Sequence, residues 1–290
     1  MSNQITTAFV QQYSSNVQML SQQMGSVLRG VVDVESVTGK NAFFDQVGKT
    51  TAVLRTSRHS DTPQIDTPHS RRRVSLADYE WADLIDNADK VRLLIDPTSS
   101  YAKAAAAAMG RAMDDVIIAA LGGTAYTGET GSTSVSLPSG QKPYSASQTD
   151  GLTVAKLLNA KKILDLADVD PSLPRFIVCG PTQISDLLNT TEVKSSDYNT
   201  VKALAMGQLD SFLGFKFIVS NRLKFDATNT DDRLAYAFTS DAIKLAIGQD
   251  VVARIDERAD KSYSTQVYYA MSIGATRMEE EKVVEIACDE

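Results

Sequence analysis

"DPTSSYAKAAAAAMGRAMDDVIIAALGG", residues 96 to 123, reads as one long helix. Asp96 or Thr98 can cap its start, Pro97 is tolerated in the first turn, and Gly122-Gly123 ends it. From Pro97 to Leu121 such a helix spans about 37 Å at roughly 1.5 Å per residue. Ala104 to Ala108 give it a slim face that lets a sheet come close. Gly110 costs about 1 kcal/mol against alanine inside a helix, so its presence predicts a close backbone approach. Asp114 and Asp115 point about 100° apart and cannot share one substrate. One of them is offered to Arg111 and the other to the ribbon or a neighbouring copy.

Upstream, the chain reads as a long ribbon. "TTAVLRT" (50–56) and "RRVSLADYEW" (72–81) alternate in strand fashion around a polar, proline-interrupted tip. Each leg, about eighteen residues, could reach roughly 60 Å if fully extended. A two-stranded ribbon of that length is not stable alone in water and must lie against a partner. Between Arg55 and Arg73 there are five arginines against Asp61 and Asp66, a local charge of +3. Residues 31 to 47 alternate around a turn at Gly39-Lys40. Before them, Phe9, Tyr13, Val17, Leu20, Met24, Val27 and Val31 recur at helical spacing in a Gln- and Ser-rich segment, which predicts an arm that packs on something else.

Gly48-Lys49-Thr50 copies the end of a phosphate-binding P-loop, but the reading fails on spacing. That motif needs a glycine five residues earlier, where this chain has Phe43, and a helix directly after. Gly48 reads instead as the turn into the ribbon, with Lys49 at its base.

Downstream, residues 122 to 150 are dominated by Gly, Ser, Thr and Pro and read as an exposed loop. An α/β segment follows: a helix over 152–167, the buried strand "RFIVCG", a helix from Pro181, another capped by Asp197, and the strand "GFKFIVS" after Gly214. "LAYAFTS", "DVVARIDER", "YSTQVYYAMSIGA" and "KVVEIAC" then read as long antiparallel strands.

Composition excludes several functions. The net charge of −7 argues against a surface that grips nucleic acid, without excluding a wall around it. No apolar run approaches a membrane span, no basic or secretory leader opens the chain, and the reading is a protein made in a cytoplasm. Cys179 and Cys288 form no CxxC pair, so neither a disulfide framework nor a zinc site is expected. His59 and His69 lie at the polar ribbon tip, near Asp61 and Asp66, at a spacing that is not diagnostic of a metal. With no other histidine for a catalytic group, the reading is of no catalytic, cofactor-binding or metal site.

Residues 67 to 123, "TPHSRRRVSLADYEWADLIDNADKVRLLIDPTSSYAKAAAAAMGRAMDDVIIAALGG", resemble the loop return leg and spine helix of the major capsid proteins of tailed bacteriophages. The Thr-Pro…Arg segment, the Asp-Pro before the helix and the Arg…Asp-Asp late in it carry the likeness. "DSFLGFKFIVSNRL" (210–223) is similar to the Leu-Gly segment entering an axial strand. The resemblance covers essentially the whole chain. It implies an α+β, Hong Kong 97-like fold: an N-terminal arm (1–45), an extended β-hairpin loop (46–89), a long spine helix with the first part of a β-rich peripheral domain (90–150), an inserted α/β axial domain (151–235) and peripheral return strands (236–290). It implies self-assembly into hexamers and pentamers that form an icosahedral shell around double-stranded DNA, in the virion after assembly from the host cytoplasm, with a portal at one vertex. Because the ribbon begins near residue 46, scaffolding is expected from a separate protein. No lysine lies between Lys49 and Lys90, so covalent cross-linking through the loop is not expected; non-covalent contacts or a cementing protein take its place. Arg55, Arg58, Arg71, Arg72, Arg73, Tyr79 and Trp81 are the subunit-interface candidates, and the acidic "RMEEEKVVE" of a neighbouring copy is one candidate target. An encapsulin-like nanocompartment shell is the alternative with the same fold. An α/β enzyme with a pocket in 150–235 is the alternative from another class.

Overall fold

The computed structural model describes residues 22–59, 61–86, 98–144, 149–189 and 211–290. The expected helix over the first twenty-odd residues, the Asp96 cap and the helix capped by Asp197 lie outside them. The expected spine helix is present as α1 (Thr98–Gly122), 25 residues long. Ala105, Met109, Met113, Ile117 and Leu121 recur every fourth residue and are buried, the stripe by which a helix joins a core.

The chain divides into two compact units. The first holds residues up to Ser26, Asp78–Met113 and Gln249–Ser272. It contains the first half of α1, the strand β4 (Ala77–Ile85) and the outer parts of two long strands, β11 (Ile243–Arg258) and β12 (Ser264–Arg277), with β12 next to β4. Here the arm crosses α1 at Gly110. A Cβ at Gly110 would collide with the backbone of Gly25, so the close approach expected at this glycine is met. Arg111 donates through Nη1 to the Gln22 side chain (2.9 Å) and to the Gln23 carbonyl (3.2 Å).

The second unit holds Val27–Ala77, Asp114–Gly248 and Ile273–Glu290. β1 (Asp33–Ser36) runs parallel to the start of β11. β2 (Asn41–Val47) and β3 (His69–Ser75) form an antiparallel hairpin, extended by β5 (Ala125–Thr127) and β6 (Thr133–Val135). The segment expected to be all loop therefore contributes two short strands, and Ala125 and Leu137 are buried. A five-stranded sheet is ordered β13-β10-β7-β9-β8, from β7 (Arg175–Cys179), β8 (Ser211–Phe212), β9 (Phe215–Val219), β10 (Asp232–Thr239) and β13 (Val283–Asp289). Its β7 and β9 are parallel. The helices α2 (Val154–Leu166), capped by the Thr153 side chain, and α3 (Pro181–Asn189) pack their buried leucines into one core with Ile177, Phe215, Val284 and Ile286.

Strands β1 and β2 flank Gly39 as expected, and each pairs elsewhere, β1 with β11 and β2 with β3. Two local expectations are corrected. "TTAVLRT" is not a strand: from Gly48 to Pro68 the described chain has no regular structure, and the paired legs are Asn41–Val47 and His69–Ser75. Residues 22–28 are not helical, and only Arg29–Val31 form a 3-10 turn. Gly25 at φ +80 breaks any helix there, and Asp114 takes over the hydrogen bonding that a helix would supply.

Asp114 is fully buried, accepting from the backbone N–H of Val27 (3.2 Å) and Leu28 (3.1 Å). Asp115 instead pairs with Arg222 through both carboxylate oxygens. Neither aspartate takes Arg111, contrary to the sequence reading. Replacing Asp114 with alanine orphans one buried and one partly buried donor and is expected to cost about 2–3 kcal/mol of unfolding free energy in the unassembled chain. A urea midpoint unchanged within error would show that the arm does not depend on this carboxylate. Burial pushes the Cys179 and Cys288 thiols up to about 12, so both stay protonated at pH 8. A thiol-reactive dye is expected to label neither in the native chain and both in denaturant.

Candidate assembly surface

The hairpin base closes where the Gly48 N–H donates to the Pro68 carbonyl at 2.8 Å. A Cβ at Gly48 would lie 2.7 Å from the Pro68 ring, so the glycine is required by the approach of the two legs and not by a phosphate. Lys49 donates to the Ala167 carbonyl (2.8 Å) and pairs with Glu281 (3.1 Å). The tripeptide that copies a nucleotide motif is an anchor for the loop's base.

Beyond that anchor the loop runs exposed to Pro68. Leu54 is 84% exposed, and Val53 and Ile65 are also exposed. The two legs line a cleft of about 520 Å³ with Val53, Leu54, Arg55 and Asp61 among its walls. Arg55 bends back to the Ser57 carbonyl (3.0 Å), and Arg58 is exposed with no ion pair among the described residues. His59 sits here at φ 63, and no cluster of metal-ligating side chains occurs among the described residues. Among the described residues, no core covers these exposed apolar and cationic side chains.

The three arginines of the return leg have different surroundings. Arg71 is partly exposed, paired with Asp45 (2.8 Å) and lying 5.5 Å from the Phe43 ring. Arg73 stacks 4.8 Å over Tyr126. Arg72 is 7% exposed; its Nη2 meets Glu280 at 2.6 Å and its Nε donates to the Met278 carbonyl at 2.9 Å. Arg72 is therefore removed from the interface candidates: its charge is used inside the chain, because the strand alternation of β3 turns it inward. Its partner belongs to the acidic run that the sequence suggested as an arginine target, but in the same copy. Glu280 also faces the fully buried Arg277 (3.6 Å), whose Nη1 donates to the carbonyls of Leu121 (2.9 Å) and Gly123 (2.8 Å) and whose Nη2 donates to that of Val135 (3.2 Å). Burial pulls the Arg277 pKa below its ordinary value. The sequence reading missed Arg277; a lone arginine in an apolar strand was the available signal.

Tyr79 and Trp81 lie on β4, not on the hairpin. They are half-buried on the side of the strand that ends in buried Ile85. Among the candidates, the structure thus brings Arg55 and Arg58 together on the loop, Arg71 and Arg73 on β3, and the two aromatics on a different sheet.

A long helix, a hairpin that sends out an unsupported loop, and a five-stranded α/β unit closed by the final strand define the Hong Kong 97-like capsid fold. The chain matches the phage capsid protein family over residues 5–290 and belongs to it. No curated protein matches the chain. Among solved structures it is similar to the capsid of cyanophage P-SCSP1u (TM-score 0.74, 16% identity, 97% of this chain and 93% of that one). It is similar also to Mycobacterium phage Che8 (0.69, 17%, 96% and 97%) and to the capsid of Ralstonia phage GP4 (0.74, 12%, 97% and 95%).

Arg72→Ala takes the close 2.6 Å partner from Glu280, leaves it only the 3.6 Å contact with Arg277, and is expected to destabilise the chain by about 3 kcal/mol. Arg55→Ala and Arg58→Ala, on the exposed loop, are expected to change stability by less than about 0.5 kcal/mol. Chemical denaturation of the three variants tests the division. Equal effects would mean that the inward and outward arginines have been wrongly separated.

Proposed function

We propose that this is a major capsid protein whose copies form hexameric and pentameric capsomers, and that these close into an icosahedral shell around double-stranded DNA. The observation that carries the reading is the loop of residues 48–68: its base is fastened within the chain, while the exposed apolar and cationic side chains along its legs are left to another copy. The interface comprises Arg55, Arg58, Arg71, Arg73, Tyr79 and Trp81. The domain scheme is arm 1–45, loop 46–89, spine and first peripheral part 90–150, axial domain 151–235 and return strands 236–290. A net charge of −7 suits a wall that surrounds DNA without adhering to it. A scaffolding protein during assembly, a portal at one vertex and a cementing protein are the partners of this role, and the chain passes from host cytoplasm to virion. The role is structural and not catalytic, a reading supported by thiols that are buried and protonated and by histidines placed on the loop and its hairpin.

Individual exposed ion pairs contribute about 0–1 kcal/mol, so the loop must act through many repeated contacts. Leu54→Ser combined with Arg55→Ala and Arg58→Ala is expected to give a folded chain with a raised threshold concentration for shells in electron microscopy. The residual assembly should be less salt-sensitive than in the wild type, because the screened charges are gone. On a denaturing gel, wild-type shells should fall apart into single chains near 31.4 kDa. An unchanged threshold for the triple variant would overturn the loop-contact reading. Shells that hold protein cargo and no DNA would overturn the genome-container reading.

A further inference from the structure

At the amino ends of the parallel strands β7 and β9 lies a recess of about 390 Å³ that the shell role does not use. Lys161 and Asp165 on α2, the Pro171–Pro174 connection, Arg175 at the start of β7, the Leu213-Gly214 turn and Lys216 on β9 line it. Three cations therefore face one carboxylate. That carboxylate is already engaged, since Asp165 pairs with Arg175 at 2.7 Å through Nη1. Arg175 is itself 7% exposed; its Nη2 reaches the Val169 carbonyl at 3.4 Å, and its Nε is buried without an acceptor among the described residues. Lys161 is half-buried with no ion pair among the described residues. Lys216 has none either and lies 5.9 Å from the Phe176 ring. The lining thus carries two uncompensated positive charges and one unmet buried donor, on walls made rigid by two prolines.

We propose that this recess binds a phosphate-class oxyanion, held by the ammonium groups of Lys161 and Lys216 and by the guanidinium of Arg175. A charge-assisted set of this kind suits an acceptor with several oxygens. Asp165, neutralised by Arg175, keeps that guanidinium in place and does not contact the anion. Both a free phosphate ion and a phosphate of a nucleic-acid backbone offer this chemistry.

Inorganic phosphate titrated into the full-length chain at low ionic strength is the test, read by calorimetry and by the rise of the unfolding temperature with phosphate concentration. Saturable binding is expected, weakened at least tenfold in the pair Lys161→Gln/Lys216→Gln. Lys162→Gln, a neighbouring exposed lysine outside the recess, should bind as the wild type does. The lysines have no ion pair to lose, so the variants should keep the wild-type unfolding temperature without phosphate. If the pair variant nevertheless unfolds early, the wild-type temperature shift against sodium chloride of equal ionic strength still decides. A short duplex oligonucleotide that competes with phosphate, and loses affinity in the pair variant, identifies a backbone phosphate as the source. Phosphate binding without such competition identifies the free ion. Absence of saturable binding, or equal weakening by Lys162→Gln, overturns the proposal.

Discussion

The last carbonyls of a helix have no partners within it, and in α1 a fully buried guanidinium meets them. Arg277 reaches the carbonyls of Leu121 and Gly123 and at the same time that of Val135. A cation at the negative end of a helix dipole is favourable, but burying it without a counter-ion would be costly. Glu280 supplies that counter-ion and shares it with Arg72 on β3. The spine helix, the end of β12 and the base of the loop hairpin are thereby fixed by one small group of charges. Their mutual dependence follows from the low dielectric around them: each member is tolerable only because the others are present.

This anchoring explains how the loop can be exposed without being loose at its root. Within the hairpin, β2 and β3 are paired over seven residues, and Phe44 and Val74 pack with Ala246. Past Gly48 that support ends. The loop is mostly polar, and its apolar side chains Val53, Leu54 and Ile65 stand exposed along the legs, which suits a protein that covers area with few residues. Local stability and exposed adhesiveness are thus separated along the sequence within one turn of chain.

Much of this was legible in the sequence, for a physical reason. Long periodic segments state their own secondary structure, so α1, "RFIVCG" and the late β strands were readable, as was the close contact at Gly110. Pairing is different, because it depends on which strand arrives alongside. "TTAVLRT" has the alternation of a strand but gains no partner, whereas "NAFFDQV" gains one, and nothing local distinguishes them. The same holds for charge. Arg71, Arg72 and Arg73 look alike in sequence, and only the pleat of β3 decides which one turns inward to Glu280. The acidic run was recognised as an arginine partner, yet sequence alone does not say in which copy.

Asp114 holds the arm by two peptide N–H groups and touches no arm side chain through those bonds. Every residue but proline offers the same donor. These bonds therefore specify the arm's path without fixing the side chain of exposed Val27, while Leu28 is fixed separately by its burial. Such a clasp lets a lineage rewrite what its arm presents to neighbours without redesigning the helix that carries it.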